Sequence, residues 1–133
     1  MKYTVIFISL LTLYACKESV SKVDSSASTQ AQRVDISIEE AHEIWKTQPL
    51  IRFLDVRTPE EIDQGFIDDA LLADVKADDF REVINKLDKD TEYVVYCRSG
   101  RRSVKASQIM LEEGFTKVKN MKGGYNAWKE VYE

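Results

Sequence analysis

The sequence predicts a single α/β domain whose mainly parallel sheet is flanked by helices on both faces. Short aliphatic runs alternate with amphipathic segments from residue 33 onward, which is typical of a sheet built from strand–helix units. Helix start and stop residues separate these segments, and no internal repeat is present. The length of 133 residues and the 44% hydrophobic content suit one globular domain.

The first strand and the first helix are marked by a clear start signal. The brief run VDI at 34–36 predicts a strand, and Ser37 then predicts a helix N-cap, with Glu40 completing a capping box. The aliphatic run LIRFLDV at 50–56 predicts a second, buried strand. Apolar residues at helical spacing predict the buried stripe of the first helix, namely Ile38, Ala41, Ile44 and Trp45.

A short second helix follows the second strand. Thr58 predicts its N-cap, Pro59 occupies its first position and Glu61 closes a second capping box. Gly65 is expected to end this helix. The run ALLADV at 70–75 then predicts the third strand.

The second half of the domain continues the alternation. We predict a helix at 78–87, a strand at 91–96, a helix at 102–113, a strand at 117–121 and a closing helix at 125–132. Ligands of such sheets bind beyond the carboxyl ends of the strands. The site is therefore expected between LDVR, which ends the second strand, and YCRSG, which ends the fourth. The stripe predicted for the long fourth helix is Val104, Ala106, Ile109, Met110 and Leu111.

The N-terminal residues predict export and a lipid anchor. Lys2 precedes the uncharged, mostly apolar segment 3–15, and a helix of that length spans only about 20 Å of a roughly 30 Å hydrocarbon core. This length suits a signal peptide, and an ordinary signal peptide cleaved nearby is the alternative. LYAC resembles the lipobox of bacterial lipoproteins, which implies that Cys16 becomes a lipidated N-terminus.

We therefore divide the chain into a lipoprotein signal peptide at 1–15, a lipidated tether at 16–32 and one folded domain at 33–133. The tether is rich in Ser, Thr, Gln and Lys and has no aromatic residue, a composition that does not fold alone. The net charge of −4 argues against nucleic acid as a partner. Two cysteines, Cys16 and Cys97, are too few for a disulfide framework.

The stretch VVYCRSGRRS at 94–103 concentrates positive charge in an acidic protein. Cys97 leaves a strand and enters a loop before a helix, and Gly100 lets that loop curl so that its N–H groups form an anion nest. These amides, the helix dipole and the nearby guanidinium groups favour a thiolate. We therefore predict that Cys97 has a lowered pKa and acts as a nucleophile on an anionic substrate. The three neighbouring arginines are Arg98, Arg101 and Arg102.

The segment CRSGRRS resembles the active-site loop of the rhodanese family, sulfurtransferases that carry sulfane sulfur as a cysteine persulfide. FLDVRTPEEIDQGFIDDA resembles the Asp-Val-Arg segment of that family and its Gly-x-Ile stretch, and GGYNAW resembles its closing Gly-Gly and Trp signature. The resemblance covers about residues 33–133. The sequence differs from the family pattern at Phe66, Asp68 and Asp69, away from the cysteine loop.

The resemblance implies a role for each matching residue. Cys97 is expected to form the persulfide, and the amides of the following loop are expected to cradle the outer sulfur and the oxyanion. Asp55 and Arg57 are expected to brace that loop, a plain salt bridge being the alternative. We expect Tyr125 and Trp128 to be core packing. The loop residues expected to bind substrate are Arg98, Ser99, Gly100, Arg101 and Arg102.

Other kinds of site are disfavoured. One type of dual-specificity phosphatase shares this fold, but its loop is one residue longer and has arginine as the sixth residue after the cysteine. Here the sixth residue is Ser103, and Arg102 comes one place earlier. We expect the Arg102 guanidinium to face the bound anion. No metal site or cofactor is predicted, because His42 is the single histidine and lies beside an apolar stripe.

Together these features predict a monomeric, lipid-anchored rhodanese of the bacterial cell envelope, facing the periplasm or the surface. A small anionic donor such as thiosulfate would pass its outer sulfur to Cys97. The persulfide would then pass it to cyanide in an assay, or to an unidentified thiol in the cell. The alternative is a rhodanese-like module that carries or senses sulfur without useful turnover.

Overall fold

The computed structural model describes residues 31–133. The predicted signal peptide, Cys16 and most of the predicted tether lie outside the described residues. Within the described part, strands and helices alternate, and no helix there is long and apolar enough to cross a membrane. The strands are β1 (Arg33–Ile36), β2 (Arg52–Asp55), β3 (Leu71–Leu72), β4 (Tyr93–Tyr96) and β5 (Val118–Met121). The helices are α1 (Ile38–Thr47), α2 (Pro59–Ile62), α3 (Phe80–Ile84), α4 (Arg101–Glu112) and α5 (Gly124–Tyr132).

The strands form one parallel sheet in the order β1-β5-β4-β2-β3. Apolar residues of α3 and α4 pack on one face of this sheet, and those of α1 and α5 pack on the other. The predicted fold class is therefore confirmed. β4 is the central strand and is buried along its whole length, so the residue that follows it lies in the middle of the carboxyl edge.

The predicted helix start of α1 is confirmed in detail. The Ser37 hydroxyl accepts from the amide of Glu40 at 3.2 Å, and the Glu40 carboxylate accepts from the amide of Ser37 at 2.8 Å. At α2, the Glu61 carboxylate accepts from the amide of Thr58 at 3.2 Å. Trp45 departs from the predicted buried stripe, because it lies at the rim of α1 and is 40% exposed.

β3 and α3 are the two elements that fall furthest short of their predicted length. β3 has two residues, although the amides of Ala73 and Val75 still donate to the carbonyls of Asp55 and Val56 at 2.9 and 3.3 Å. The Asp74 carboxylate then accepts from the amide of Lys76 at 2.8 Å and forms a turn. α3 ends at Ile84, and the following residues continue as tighter turns in which the amide of Leu87 bonds the carbonyl of Ile84 at 2.9 Å. Both differences affect element length and leave the order of elements unchanged.

Candidate active site

Cys97 lies at the carboxyl edge of the sheet, directly after the central strand β4. The residue is 1% exposed. The chain then turns to Gly100, which has a φ of 91° and is the N-cap of α4. A side chain would strain this left-handed conformation, so glycine allows α4 to begin in the immediate vicinity of Cys97.

The backbone amides of the loop turn toward the Cys97 sulfur. The amide of Gly100 donates to Sγ at 3.2 Å. Burial raises the pKa of the Cys97 thiol, but the nearby Ser103 hydroxyl and the amides of Ser103, Ser99 and Gly100 lower it by more. The net effect lowers the pKa of Cys97, in the direction expected from the sequence.

Ser103 is the functional residue that the sequence analysis missed. It is fully buried in the first turn of α4, and no group in the described part of the chain forms an ordinary hydrogen bond with its hydroxyl. The hydroxyl nevertheless lowers the pKa of Cys97, and we expect it to donate to the sulfur when the thiol ionises. The signal that identifies it is helical spacing, because the buried positions of α4 are Ser103, Ala106, Ser107 and Met110. Ala106 and Met110 confirm part of the predicted stripe, whereas Val104, Ile109 and Leu111 are only partly buried.

The side chain of Arg102 does not face an open anion site as predicted. Its two terminal nitrogens donate to the Glu61 carboxylate of α2 at 2.7 and 2.6 Å. The hydrogen bond from Arg102 is the largest cause that lowers the pKa of Glu61, to about 2. Because a bidentate pair holds both groups in one geometry, Arg102 ties α4 to α2 at the mouth of the site.

Arg98 and Arg101 are the exposed cations of the loop. Arg98 has 65% of its side chain exposed, and its Nε lies 3.9 Å from the Glu61 carboxylate, a distance that leaves it only loosely held. Both side chains are therefore open to solvent beside the cysteine loop. A cleft of about 100 Å³ adjoins the loop and is lined by Arg57, Glu61, Gln64, Arg98, Tyr125, Asn126 and Lys129.

Asp55 and Arg57 form a buried ion pair at the end of β2. The Arg57 guanidinium donates to the Asp55 carboxylate at 2.6 to 3.0 Å, and its remaining bonds reach the carbonyls of Glu61 at 3.3 Å and Gly65 at 2.8 Å. Burial lowers the pKa of Arg57, but the hydrogen bond and the charge of Asp55 raise it by more. The net effect raises the pKa of Arg57, so its guanidinium stays charged. The pair therefore supports the α2 segment, and it connects to the cysteine loop through Glu61 and through Tyr125.

The aromatic residues and His42 pack as the sequence predicts. Tyr125 and Trp128 are 4% and 3% exposed, and the Tyr125 ring also lies 4.1 Å from the Arg57 guanidinium. The His42 ring stacks on Tyr132 with 3.8 Å between centroids. Within residues 31–133, no cluster of three or more His, Cys, Asp and Glu side chains is placed to hold a metal ion.

Sequence comparisons point to one family. Residues 37–131 match the family model described as Rhodanese-like domain. A protein named Sulfurtransferase from Allochromatium vinosum is 40% identical over 78 residues, which span 59% of this chain and 71% of that protein. Thiosulfate sulfurtransferase 16, a chloroplastic protein of Arabidopsis thaliana, is 37% identical over 103 residues, which span 70% of this chain and 84% of that protein.

A structural comparison agrees. The crystal structure of a rhodanese-related protein from Thermoplasma volcanium is similar with a TM-score of 0.65 at 29% sequence identity, covering 75% of this chain and 95% of that one. The residues matched by the family model include the cysteine loop and most of α5.

Proposed function

The chain belongs to the rhodanese-like domain family, and from that premise we propose that it is a sulfurtransferase whose Cys97 carries sulfane sulfur as a persulfide. Relatives named as sulfurtransferases support the reaction class. The observation that carries the proposal is the Gly100 amide 3.2 Å from the Cys97 sulfur, backed by the amides of Ser99 and Ser103. Such converging donors stabilise a thiolate and the charge of a persulfide.

In the first step, the Cys97 thiolate attacks the outer sulfur of thiosulfate. The bond between Cys97 Sγ and that sulfur forms while the sulfur–sulfur bond of thiosulfate breaks, and its electron pair leaves with sulfite. Arg98 and Arg101 hold the sulfonate oxygens of the donor, since both side chains are exposed beside the loop. Arg102 keeps the loop in place through Glu61.

In the second step, a nucleophilic acceptor attacks the outer sulfur of the Cys97 persulfide. Cyanide gives thiocyanate, and a thiolate gives a new persulfide. In both cases the sulfur–sulfur bond breaks with its electron pair on Cys97, so the thiolate is restored. The loop amides and the Ser103 hydroxyl then stabilise that returning charge.

The alternative is a module that carries or senses sulfur without useful turnover. The near-complete burial of Cys97 favours it, because a large acceptor has little access to a residue that is 1% exposed. A thiosulfate:cyanide assay of the wild type and of Cys97→Ser separates the two functions. Thiocyanate formation that is lost in Cys97→Ser supports the enzyme. Stoichiometric loading of Cys97 without turnover favours the carrier, and a Cys97→Ser variant with full activity would overturn both.

We also propose that the protein is a monomeric lipoprotein anchored in a bacterial envelope membrane through Cys16. The proposal rests on the short apolar segment 3–15 and on the LYAC sequence. Mass spectrometry of the native protein should find acyl chains on Cys16, and Cys16→Ala should leave an unlipidated precursor. A native protein with an unmodified Cys16 thiol that does not partition into membranes would contradict this.

A further inference from the structure

The closing glycine pair, Gly123 and Gly124, lies against the cysteine loop and has no role in the steps above. Both glycines have left-handed backbones, with φ of 80° and 62°. A Cβ at Gly124 would meet the Cys97 carbonyl oxygen and would lie 2.7 Å from the carbonyl carbon and oxygen of Arg98. These are backbone atoms that cannot swing aside, so glycine is needed for α5 to begin this close to the loop.

This close approach brings the first amides of α5 onto the outer side of the loop. The amide of Tyr125 donates to the Cys97 carbonyl at 2.7 Å, and the amide of Asn126 donates to the Arg98 carbonyl at 3.0 Å. Amides in the first turn of a helix have no acceptor within that helix. The loop carbonyls therefore satisfy two donors that would otherwise need solvent.

The same peptide planes fix the inner side of the loop. No peptide bond in the described residues is cis, and in a trans peptide the carbonyl and the next N–H point in opposite directions. When Asn126 holds the Arg98 carbonyl outward, the N–H of Ser99 points inward. That N–H is one of the amides that lower the pKa of Cys97.

We propose that the N-terminus of α5 is a positioning element of the active site. Gly124 allows this helix to begin against the loop, and the amide of Asn126 holds the peptide between Arg98 and Ser99 so that the Ser99 N–H faces the Cys97 sulfur. The amide of Tyr125 fixes the preceding peptide. The catalytic consequence rests on the proposed function, whereas the loop geometry does not depend on it.

Two alanine variants test this proposal against simple backbone strain. Gly124→Ala and Gly114→Ala both place a side chain on a left-handed residue, but a Cβ at Gly114 meets only Cδ of the Lys89 side chain, at 3.9 Å, an ordinary van der Waals distance. We expect Gly124→Ala to raise the Cys97 pKa by about one unit, so that at a pH below both pKa values the thiolate fraction falls about ten-fold. The pH dependence of iodoacetamide alkylation measures this.

The expected pattern separates positioning from folding. Gly114→Ala should lose thermal stability while keeping the wild-type thiol pKa. The charged side chains around the sulfur, namely Arg98, Arg102 and Glu61, are present in both variants. A Gly124→Ala thiol pKa equal to that of Gly114→Ala would overturn the proposal.

Amide hydrogen exchange provides a second test if Gly124→Ala does not fold. In the wild type, the amides of Tyr125 and Asn126 should be protected, and their NMR shifts should move when Cys97 is alkylated. Exchange at the rate of unprotected amides would overturn the proposal. If these amides are protected but Cys97 never accepts sulfur from thiosulfate, the proposed function fails and the loop positioning remains.

Discussion

Replacing Ser103 by alanine should raise the pKa of Cys97 and slow sulfur transfer. The Ser103 hydroxyl is fully buried, and in the part of the chain that the structure describes the Cys97 sulfur is the group whose charge it stabilises. A hydrogen bond to a charged group contributes about 1.5–3 kcal/mol. At about 1.36 kcal/mol per unit, its loss corresponds to a rise of roughly one to two pKa units.

Ser107→Ala is the matched control for this variant. Ser107 lies one turn later on the same buried face of α4, and its hydroxyl is likewise without a partner among the described groups. Removing a buried, unpaired hydroxyl should leave stability unchanged or raise it, and the thiol pKa should stay at the wild-type value. Alkylation by iodoacetamide as a function of pH reports both variants. Equal thiol pKa values in Ser103→Ala and the wild type would refute the reasoning.

The pH dependence of folding stability gives an independent check of the Ser103 contribution. The pKa of Cys97 is lower in the folded state than that of a free cysteine. The thiolate therefore adds stability that is fully present above the unfolded-state pKa of about 8.5 and is lost as the pH falls through the folded-state pKa. Ser103→Ala should lose much of this increment. Its deficit in unfolding free energy should grow as the pH rises, and a deficit that is constant with pH would contradict the account.

Two further predictions concern the charges at the mouth of the site. Because Arg102 holds the pKa of Glu61 at about 2 instead of 4.5, Glu61→Gln should remove stability that is present above pH 4.5 and lost as the pH falls toward 2. Urea midpoints in that range measure this, and identical acid profiles for variant and wild type would count against it. Arg98→Ala should raise the KM for thiosulfate up to about five-fold with little change in kcat, since an exposed ion pair contributes up to about 1 kcal/mol. Arg81→Ala, which breaks an ion pair with Glu112 on the surface, is the control, and equal KM values would contradict the role of Arg98.

The fold is predictable from sequence because its signals are local. The Ser37 capping box and the buried run of β4 each depend on a few adjacent residues, and both are present in the structure. The position of Cys97 at the carboxyl edge follows from the parallel order of the strands. Gly100 is also predictable, because the turn between Cys97 and α4 requires a left-handed residue and glycine adopts that conformation without strain.

The details of the site depend on contacts between elements that are distant in sequence. Glu61 and Arg102 are 41 residues apart, so their pairing is set by the packing of α2 against α4. The sequence predicts only that Glu61 closes the cap of α2. In the structure, the Glu61 carboxylate accepts from the Thr58 amide of that cap and also pairs with Arg102. Ser103 was not predicted because the face that α4 buries depends on its rotation against the sheet. The apolar pattern identified Ala106 and Met110 on that face but gave no signal for a buried serine.

The central claim is that Cys97 carries the transferred sulfur, and mass spectrometry of the intact protein after treatment with thiosulfate tests it most directly. We predict one added sulfur atom on the wild type and on Ser107→Ala, released as thiocyanate by cyanide, and no adduct on Cys97→Ser. A folded wild-type protein that gains no sulfur, or a Cys97→Ser variant that still gains one, would contradict the claim.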